Sequence, residues 1–322
     1  GTQQVIYDER SPKYVDHLNK TFYFLEDGRR FIVREETSTG YMHLYLYGIG
    51  QGVLHPITQG EWEVTDFVGL RSDKVYYIST ESSPLKRDLY RIGLDGKHKE
   101  RLTPGDGYYS IYPSADLSYY ICEGGDSSAP GRTDVFNAAG KRVRTLYDNA
   151  PLKEALVEAG LPVREFFTFT TERGDELNGY MLKPLDFDPA KRYPVLLTQY
   201  SGPGSQQVAE VWGPDWEDAL VTHGYIVVCV DPRGTGYRGE EFKKLTYGDL
   251  GRLEVEDQIS TARYMARQSW VDPARIGIYG WSYGGFMALG CAFRGEGLFK
   301  MAIAVAPVTS WRYYDSIYTE NF

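Results

Sequence analysis

Cysteine is nearly absent: three in 322 residues, at Cys122, Cys229 and Cys291. They are odd in number and far apart, which supports neither a disulfide framework nor a cysteine metal site. Cys229 lies in an apolar strand-like run and Cys291 in an apolar helical one, so both read as small buried hydrophobes. Histidine is equally sparse, with five in the chain. His17, His43, His55 and His98 stand isolated among polar or strand-like neighbours and read as surface or satisfied structural side chains. No cofactor and no metal are expected. No apolar run reaches the roughly 18 residues of a membrane span. The first residues, Gly1-Thr-Gln-Gln4, are not a signal peptide. No arginine-rich run or basic patch is present, and 35 basic against 44 acidic residues leave a net charge of −9. Nucleic acid is therefore not an expected partner, and the acidity reads as solubility. Asn19-Lys20-Thr21 fits the glycosylation tripeptide, a pattern common by chance.

Apolar material, by contrast, is ample. Hydrophobic residues make up 42% and aromatics 15% of the chain, enough for two cores. Residues 1–150 are strand-like and repeat. Phe31-Ile-Val33, Tyr76-Tyr-Ile78 and Tyr119-Tyr-Ile121 recur about 45 residues apart, a period of β-propeller blades. His43-Leu-Tyr-Leu-Tyr47 recurs as Asp88-Leu-Tyr-Arg-Ile92, and Thr58-Gln-Gly60 as Thr103-Pro-Gly105. A weaker third copy holds Asp134-Val-Phe-Asn137 and Thr145-Leu146. Two to three blades cannot close a propeller of about four to eight, so this half is expected to be part of a larger one. An open β-sandwich is the alternative.

Residues 151–322 alternate strands and helices, which means a mostly parallel sheet. Pro151–Gly160 reads as a short helix. Strands are expected at 165–170, 177–182, 193–200, 224–230 and 301–306, and an amphipathic helix at 251–268. Arg275–Tyr279 suits a buried strand and Gly285–Phe293 a buried helix. Between them stands Gly280-Trp-Ser-Tyr-Gly284, the G-x-S-x-G pattern of a nucleophile elbow. There the serine sits on a sharp turn, and small residues two before and two after let strand and helix nearly touch. The bare pattern is weak, but its strand–turn–helix setting is not. Ser282 is thus the candidate nucleophile, and the Tyr283 N–H a candidate oxyanion donor. The expected fold is mixed: C-terminal blades of a β-propeller, then an α/β-hydrolase domain.

Hydrolases of this fold take their acid and histidine after the serine. No histidine follows Ser282, and His223 precedes it. Three readings are open: truncation, another base, or an inactive homologue. Truncation is preferred, so the domain is expected to be incomplete at its C-terminus and the chain by itself inactive.

The chain closely resembles the prolyl oligopeptidase family of serine peptidases. The resemblance covers essentially all of it and is strongest from Tyr200 to Asn321. Its carriers are Tyr200-Ser-Gly-Pro-Gly-Ser-Gln-Gln-Val208, Asp231-Pro-Arg-Gly-Thr-Gly-Tyr237, Glu254-Val-Glu-Asp-Gln258, the elbow, Ala304-Val-Ala-Pro-Val308, Trp311, Tyr313-Tyr-Asp-Ser316 and Tyr318-Thr-Glu320. The resemblance implies a propeller over an α/β-hydrolase, with Ser282 as nucleophile. It implies an oxyanion hole made by the Tyr283 N–H and the Tyr200 hydroxyl. It further implies that Tyr283, Val308, Trp311, Tyr314 and Tyr318 line a pocket for proline or alanine. Trp311, Tyr314 and Tyr318 are spaced i, i+3, i+7 and so would share one helical face.

The implied activity is release of N-terminal Xaa-Pro or Xaa-Ala dipeptides from peptide substrates through an acyl-enzyme. The family likeness also implies a homodimer and a bacterial periplasmic or cell-surface location. The family's catalytic Asp and His, and the paired glutamates that hold a substrate N-terminus, have no counterpart here. Glu35-Glu36 does not match the latter's surroundings. Tripeptidyl release, acylaminoacyl release and a non-catalytic, partner-binding propeller are the alternatives. An esterase is disfavoured, because Tyr200-Ser-Gly-Pro-Gly204 replaces its usual HGGG-type loop.

Overall fold

A computed structural model describes residues 3–16 and 21–322. His17, Asn19 and Lys20 lie outside the described residues. The chain divides into two compact units: Gly1–Ala150 with Ala209–Trp212 and Tyr237–Glu241, and the remainder from Pro151 to Phe322.

The first unit contains three four-stranded antiparallel sheets among the described residues. They are β1 (Phe22–Phe24) to β4 (Gly52–Pro56) by way of β2 (Arg30–Glu35) and β3 (His43–Gly48); β5 (Val64–Arg71), β6 (Lys74–Ser79), β7 (Asp88–Gly93) and β8 (Glu100–Arg101); and β9 (Tyr108–Pro113), β10 (Tyr119–Gly125), β11 (Arg132–Asn137) and β12 (Arg142–Tyr147). The repeat falls on equivalent strands. Phe31–Val33, Tyr76–Ile78 and Tyr119–Ile121 lie on the second strand of each sheet, and His43, Asp88 and Asp134 on the third.

Successive residues alternate between faces of a strand, so consecutive burial means that both faces are covered. Phe31, Ile32 and Val33 are all fully buried. Ile32, Leu44 and Leu46 pack with Val75, Tyr77 and Tyr90 of the next sheet. Tyr76, Ile78 and Leu89, from that sheet's other face, pack with Tyr109, Tyr120 and Phe136 of the third. Sheets stacked face to face in chain order are propeller blades, not the two layers of a sandwich. The repeated threonines brace them. Thr58 Oγ1 lies 3.0 Å from His43 Nδ1 and accepts the Leu44 N–H at 2.9 Å. Thr103 Oγ1 donates to Asp88 at 2.7 Å. The third copy departs: Thr145 lies inside β12, where it accepts from Arg132 at 2.8 Å. His43 is a satisfied structural histidine, with Nε2 2.9 Å from Gly60 O, and burial lowers its pKa. Glu35 accepts from the hydroxyls of Tyr7 and Ser38.

The second unit opens on α1 (Ala150–Ala159), which starts one residue earlier in the first unit and is closed by Gly160 at φ 65°, a left-handed backbone open to glycine. Its sheet runs β13-β14-β16-β15-β17-β18, from β13 (Glu165–Thr170), β14 (Glu176–Leu182), β15 (Tyr193–Thr198), β16 (Ile226–Asp231), β17 (Val271–Trp281) and β18 (Met301–Val305). β13, β14 and β16 pair antiparallel, and the β16-β15-β17-β18 ladder is parallel. The further helices are α2 (Trp216–Thr222), one-turn α3 (Glu240–Lys243), whose first two residues belong to the first unit, α4 (Leu253–Ala266), α5 (Tyr283–Arg294) and α6 (Ser316–Thr319). Central strands read YPVLLT and IVVCVD because helices cover the parallel sheet. Val195, Leu197, Ile226 and Val228 pack with Val255, Ile259 and Met265 of α4 and Met287 of α5.

The loops at the strand ends are held by carboxylates. Asp231 accepts the N–H groups of Gln207 at 3.0 Å and Val208 at 2.9 Å, which closes the 200–208 loop onto β16. Arg233 forks onto buried Asp257, with Nη2–Oδ1 at 2.6 Å and Nε–Oδ2 at 3.0 Å, and also meets Asp175 at 3.1 Å. Removing one partner strands the other charge in the interior. Arg233→Leu is expected to lower unfolding stability by about 3–5 kcal/mol. Denaturant unfolding checks this, and a change below about 1 kcal/mol would mean that Asp257 finds another partner.

Candidate active site

Ser282 joins β17 to α5 with φ 59° and ψ −116°. A serine holds such a backbone only when its surroundings fix it. Here they do: Ser282 N donates to Val305 O at 2.9 Å, and Ser282 O accepts from Phe286 N at 3.1 Å. The glycines on either side make the turn possible. A Cβ on Gly280 would lie 2.1 Å from Gly284 O, and one on Gly284 would lie 2.3 Å from Gln199 O. Gln199 fills the remaining space and donates its Nε2 to Gly284 O at 2.8 Å. The spacing of the pentapeptide pointed to Gly280 and Gly284. Nothing local in the sequence marked Gln199, whose contact lies 85 residues away.

Tyr200 follows the end of β15. Its ring folds back over Gly202, where a Cβ would meet it at 2.5 Å. The ring centroid lies 6.0 Å from that of Tyr283. Burial, and then the neighbouring Tyr314, push the Tyr200 hydroxyl pKa up. Tyr283 is fully buried, and its hydroxyl donates to the carboxylate of Glu254. Burial pushes both groups up. The two tyrosines thus have different surroundings: the Tyr283 hydroxyl is anchored on Glu254, and the Tyr200 ring is half-buried against Gly202.

The aromatic residues do come together, but by a different route from the one expected. Trp311–Tyr313 is a 3₁₀ turn, Tyr314 is extended at ψ 169°, and α6 begins only at Ser316, capped by Asp315. No single helical face carries Trp311, Tyr314 and Tyr318. Extended Tyr314 breaks the run, and Asp315 accepts the Tyr318 N–H to start a new helix. Even so, Trp311 stacks on Tyr318 at 5.7 Å and meets Tyr314 edge-on at 5.8 Å. Trp311 also lies 5.5 Å from Tyr283 and 5.4 Å from Phe286. Phe286 is the member that sequence spacing missed. Val308 is half-buried between β18 and this cluster in sequence. Among the described residues, no group of three or more His, Cys, Asp or Glu side chains is placed to hold a metal.

Two family models match. The prolyl oligopeptidase family model covers residues 212–322, and the dipeptidyl peptidase IV N-terminal region model covers residues 1–130. Dipeptidyl-aminopeptidase B of Aspergillus niger is 40% identical over 293 residues, covering 88% of this chain and 32% of that protein. Dipeptidyl peptidase 4 of Arthroderma otae is 33% identical over 332 residues, covering 100% of this chain and 42% of that protein. The crystal structure of Porphyromonas gingivalis dipeptidyl peptidase 4 superposes with a TM-score of 0.91 at 42% identity, covering 97% of this chain and 44% of that one. The chain belongs to the prolyl oligopeptidase family. Within it, the chain is a dipeptidyl peptidase IV-like member. It spans less than half the length of these relatives.

The close approach at the elbow can be tested directly. Gly284→Ala puts a Cβ against Gln199 O and should cost about 1–3 kcal/mol. Gly213→Ala, with nothing within 4 Å of the added carbon, should stay within about 0.5 kcal/mol. Thermal denaturation of the two variants side by side checks both.

Proposed function

We propose that this chain is part of a serine dipeptidyl peptidase that releases N-terminal Xaa-Pro or Xaa-Ala dipeptides. The observation that carries the reading is the strained Ser282 elbow, flanked by Tyr200 and the Tyr283–Trp311–Tyr314–Tyr318 aromatic cluster. On this reading Ser282 Oγ attacks the carbonyl carbon of the proline itself and gives its proton to a general base, which returns it to the leaving amine. The tetrahedral oxygen accepts hydrogen bonds from the Tyr283 N–H and the Tyr200 hydroxyl. Collapse expels the peptide amine and leaves an acyl-enzyme, which water then hydrolyses. The aromatic cluster suits proline, whose ring is flat, apolar and without an N–H donor to satisfy.

No histidine follows Ser282 in the sequence to serve as that base. His43 is buried with both ring nitrogens bonded, to Thr58 and to Gly60. The 322-residue chain alone is therefore expected to hydrolyse Gly-Pro chromogenic substrate no faster than its Ser282→Ala variant. The intact gene product is expected to cleave Gly-Pro and Gly-Ala substrates, and to spare Gly-Arg and N-blocked Gly-Pro. Fast cleavage of the blocked substrate would replace dipeptidyl release with an endopeptidase or acylaminoacyl activity. Homodimer formation by the intact protein belongs to the same reading. Sedimentation at the mass of one subunit would refute it.

Tyr200 carries a sharper expectation. Tyr200→Phe keeps the ring over Gly202, so folding should change little. Losing one oxyanion donor lowers kcat by about 10²–10³-fold. The loss should fall on kcat and not KM, because the bond strengthens only in the transition state. Steady-state kinetics of the folded variant decide. A kcat within about three-fold would make Tyr200 a packing residue only.

A further inference from the structure

We propose that α4 carries two positioning residues for the candidate oxyanion hole: Glu254 on the Tyr283 side and Gln258 on the Tyr200 side. The proposal rests on the hydrolase reading above and deepens it.

Glu254 and Gln258 lie one helical turn apart on the same face of α4, and both are wholly buried. Packing alone would be served by apolar side chains, since a buried carboxylate or amide is costly unless its partners are built in. The Glu254 carboxylate and the Gln258 amide nitrogen have theirs, while Gln258 Oε1 is buried without one. The Glu254 carboxylate accepts the Gly251 N–H at 3.0 and 3.1 Å and the Tyr283 hydroxyl. Gln258 Nε2 donates to Ser201 Oγ at 3.2 Å and to Val230 O at 3.0 Å. The Ser201 hydroxyl donates onward to Gln199 Oε1 at 2.8 Å, and Gln199 Nε2 reaches Gly284 O at 2.8 Å. The path is closed. It leaves α4 at Glu254, crosses the residue after the nucleophile, returns through Gln199 and Ser201, and re-enters α4 at Gln258.

The two ends of this path are next to the two candidate donors. Tyr283 supplies the N–H, and Glu254 fixes its side chain. Ser201 directly follows Tyr200 and holds φ 67°, a backbone state a serine keeps only under constraint. Its orientation aims Tyr200, and Gln258 holds that orientation. α4 itself is seated tightly on α5. A Cβ on Gly290 would lie 2.6 Å from Val255, and one on Gly251 would lie 2.7 Å from Phe286. One rigid helix therefore sets the separation of the two donors. A mismatch of a fraction of an ångström there weakens transition-state binding and leaves substrate binding almost unchanged.

The test uses the intact gene product with Tyr283→Phe, Gln258→Met and the milder Ser201→Ala. Active sites are counted by fluorophosphonate titration, so that loss of folded protein does not pass for loss of rate. Each variant is expected to lower kcat per titrated site by about ten-fold or more, with KM within about three-fold. Affinity for a dipeptide boronate should fall in parallel, while affinity for the product dipeptide stays constant. Gln258→Met should also speed amide exchange in residues 200–208. A kcat per site within about two-fold in Tyr283→Phe and Gln258→Met overturns the proposal, whatever the change in Tm. Ser201→Ala decides in the same way if either of these fails to fold. Turnover that survives Ser282→Ala would sink the hydrolase reading instead. Exchange in residues 200–208 then decides by itself, and an unchanged rate in Gln258→Met overturns the positioning role.

Discussion

The second unit depends on a close approach at which three backbones share the volume of one side chain. Gln199 directly follows β15, Gly280 is the next-to-last residue of β17, and α5 passes at Gly284; a Cβ on either glycine would strike the neighbouring backbone. This contact forces Ser282 into its positive φ, because the chain must turn from strand to helix within one residue. The strain costs on the order of 1–3 kcal/mol. It is offset by the core beneath, where α5 buries Met287, Ala288 and Cys291 against the sheet and α4. Gln199 then serves as a spacer that also satisfies the Gly284 carbonyl.

The propeller unit obeys a different rule. Each blade covers one face of its neighbour, and Ile6, Tyr7 and Ile49 pack on the other face of the first sheet, so consecutive residues such as Phe31, Ile32 and Val33 are apolar where an exposed sheet would alternate. What differs from blade to blade is the bracing at the third strand. His43 with Thr58 and Asp88 with Thr103 occupy equivalent places with different chemistry, one neutral and one anionic and paired to Arg101. The threonine hydroxyl accepts in the first pair's backbone contact and donates in the second, which is why threonine recurs while its partner changes.

What was legible in the sequence was what local period or short spacing can carry. The 45-residue repeat located the blades because each blade is one supersecondary unit. The elbow was legible because its glycines sit at fixed offsets from the serine. The aromatic cluster was legible only in part. Spacing i, i+3, i+7 picked three rings that do meet, but they meet across a broken helix whose second half is started by the Asp315 cap. Gln199, Phe286 and the Glu254–Tyr283 bond were not legible, since each acts between segments that no sequence period connects. The E-V-E-D-Q run was visible as a motif without a physical reason. The structure supplies one in its three buried polar residues: Glu254 is tied to Tyr283 of α5, Asp257 to Arg233 and Gln258 to Ser201.

The two tyrosines at the elbow show how one residue type is put to two uses by its surroundings. The Tyr283 hydroxyl is committed to a buried carboxylate, which fixes its ring. The Tyr200 hydroxyl, half-buried beside Tyr314, has its pKa raised by burial. The same burial that raises the pKa also excludes water from the ring face, which strengthens any hydrogen bond the hydroxyl gives. Gly202 is what allows this placement, because any side chain there would push the ring off the elbow. Gly202 thus sets where the Tyr200 ring lies and is not merely a turn residue.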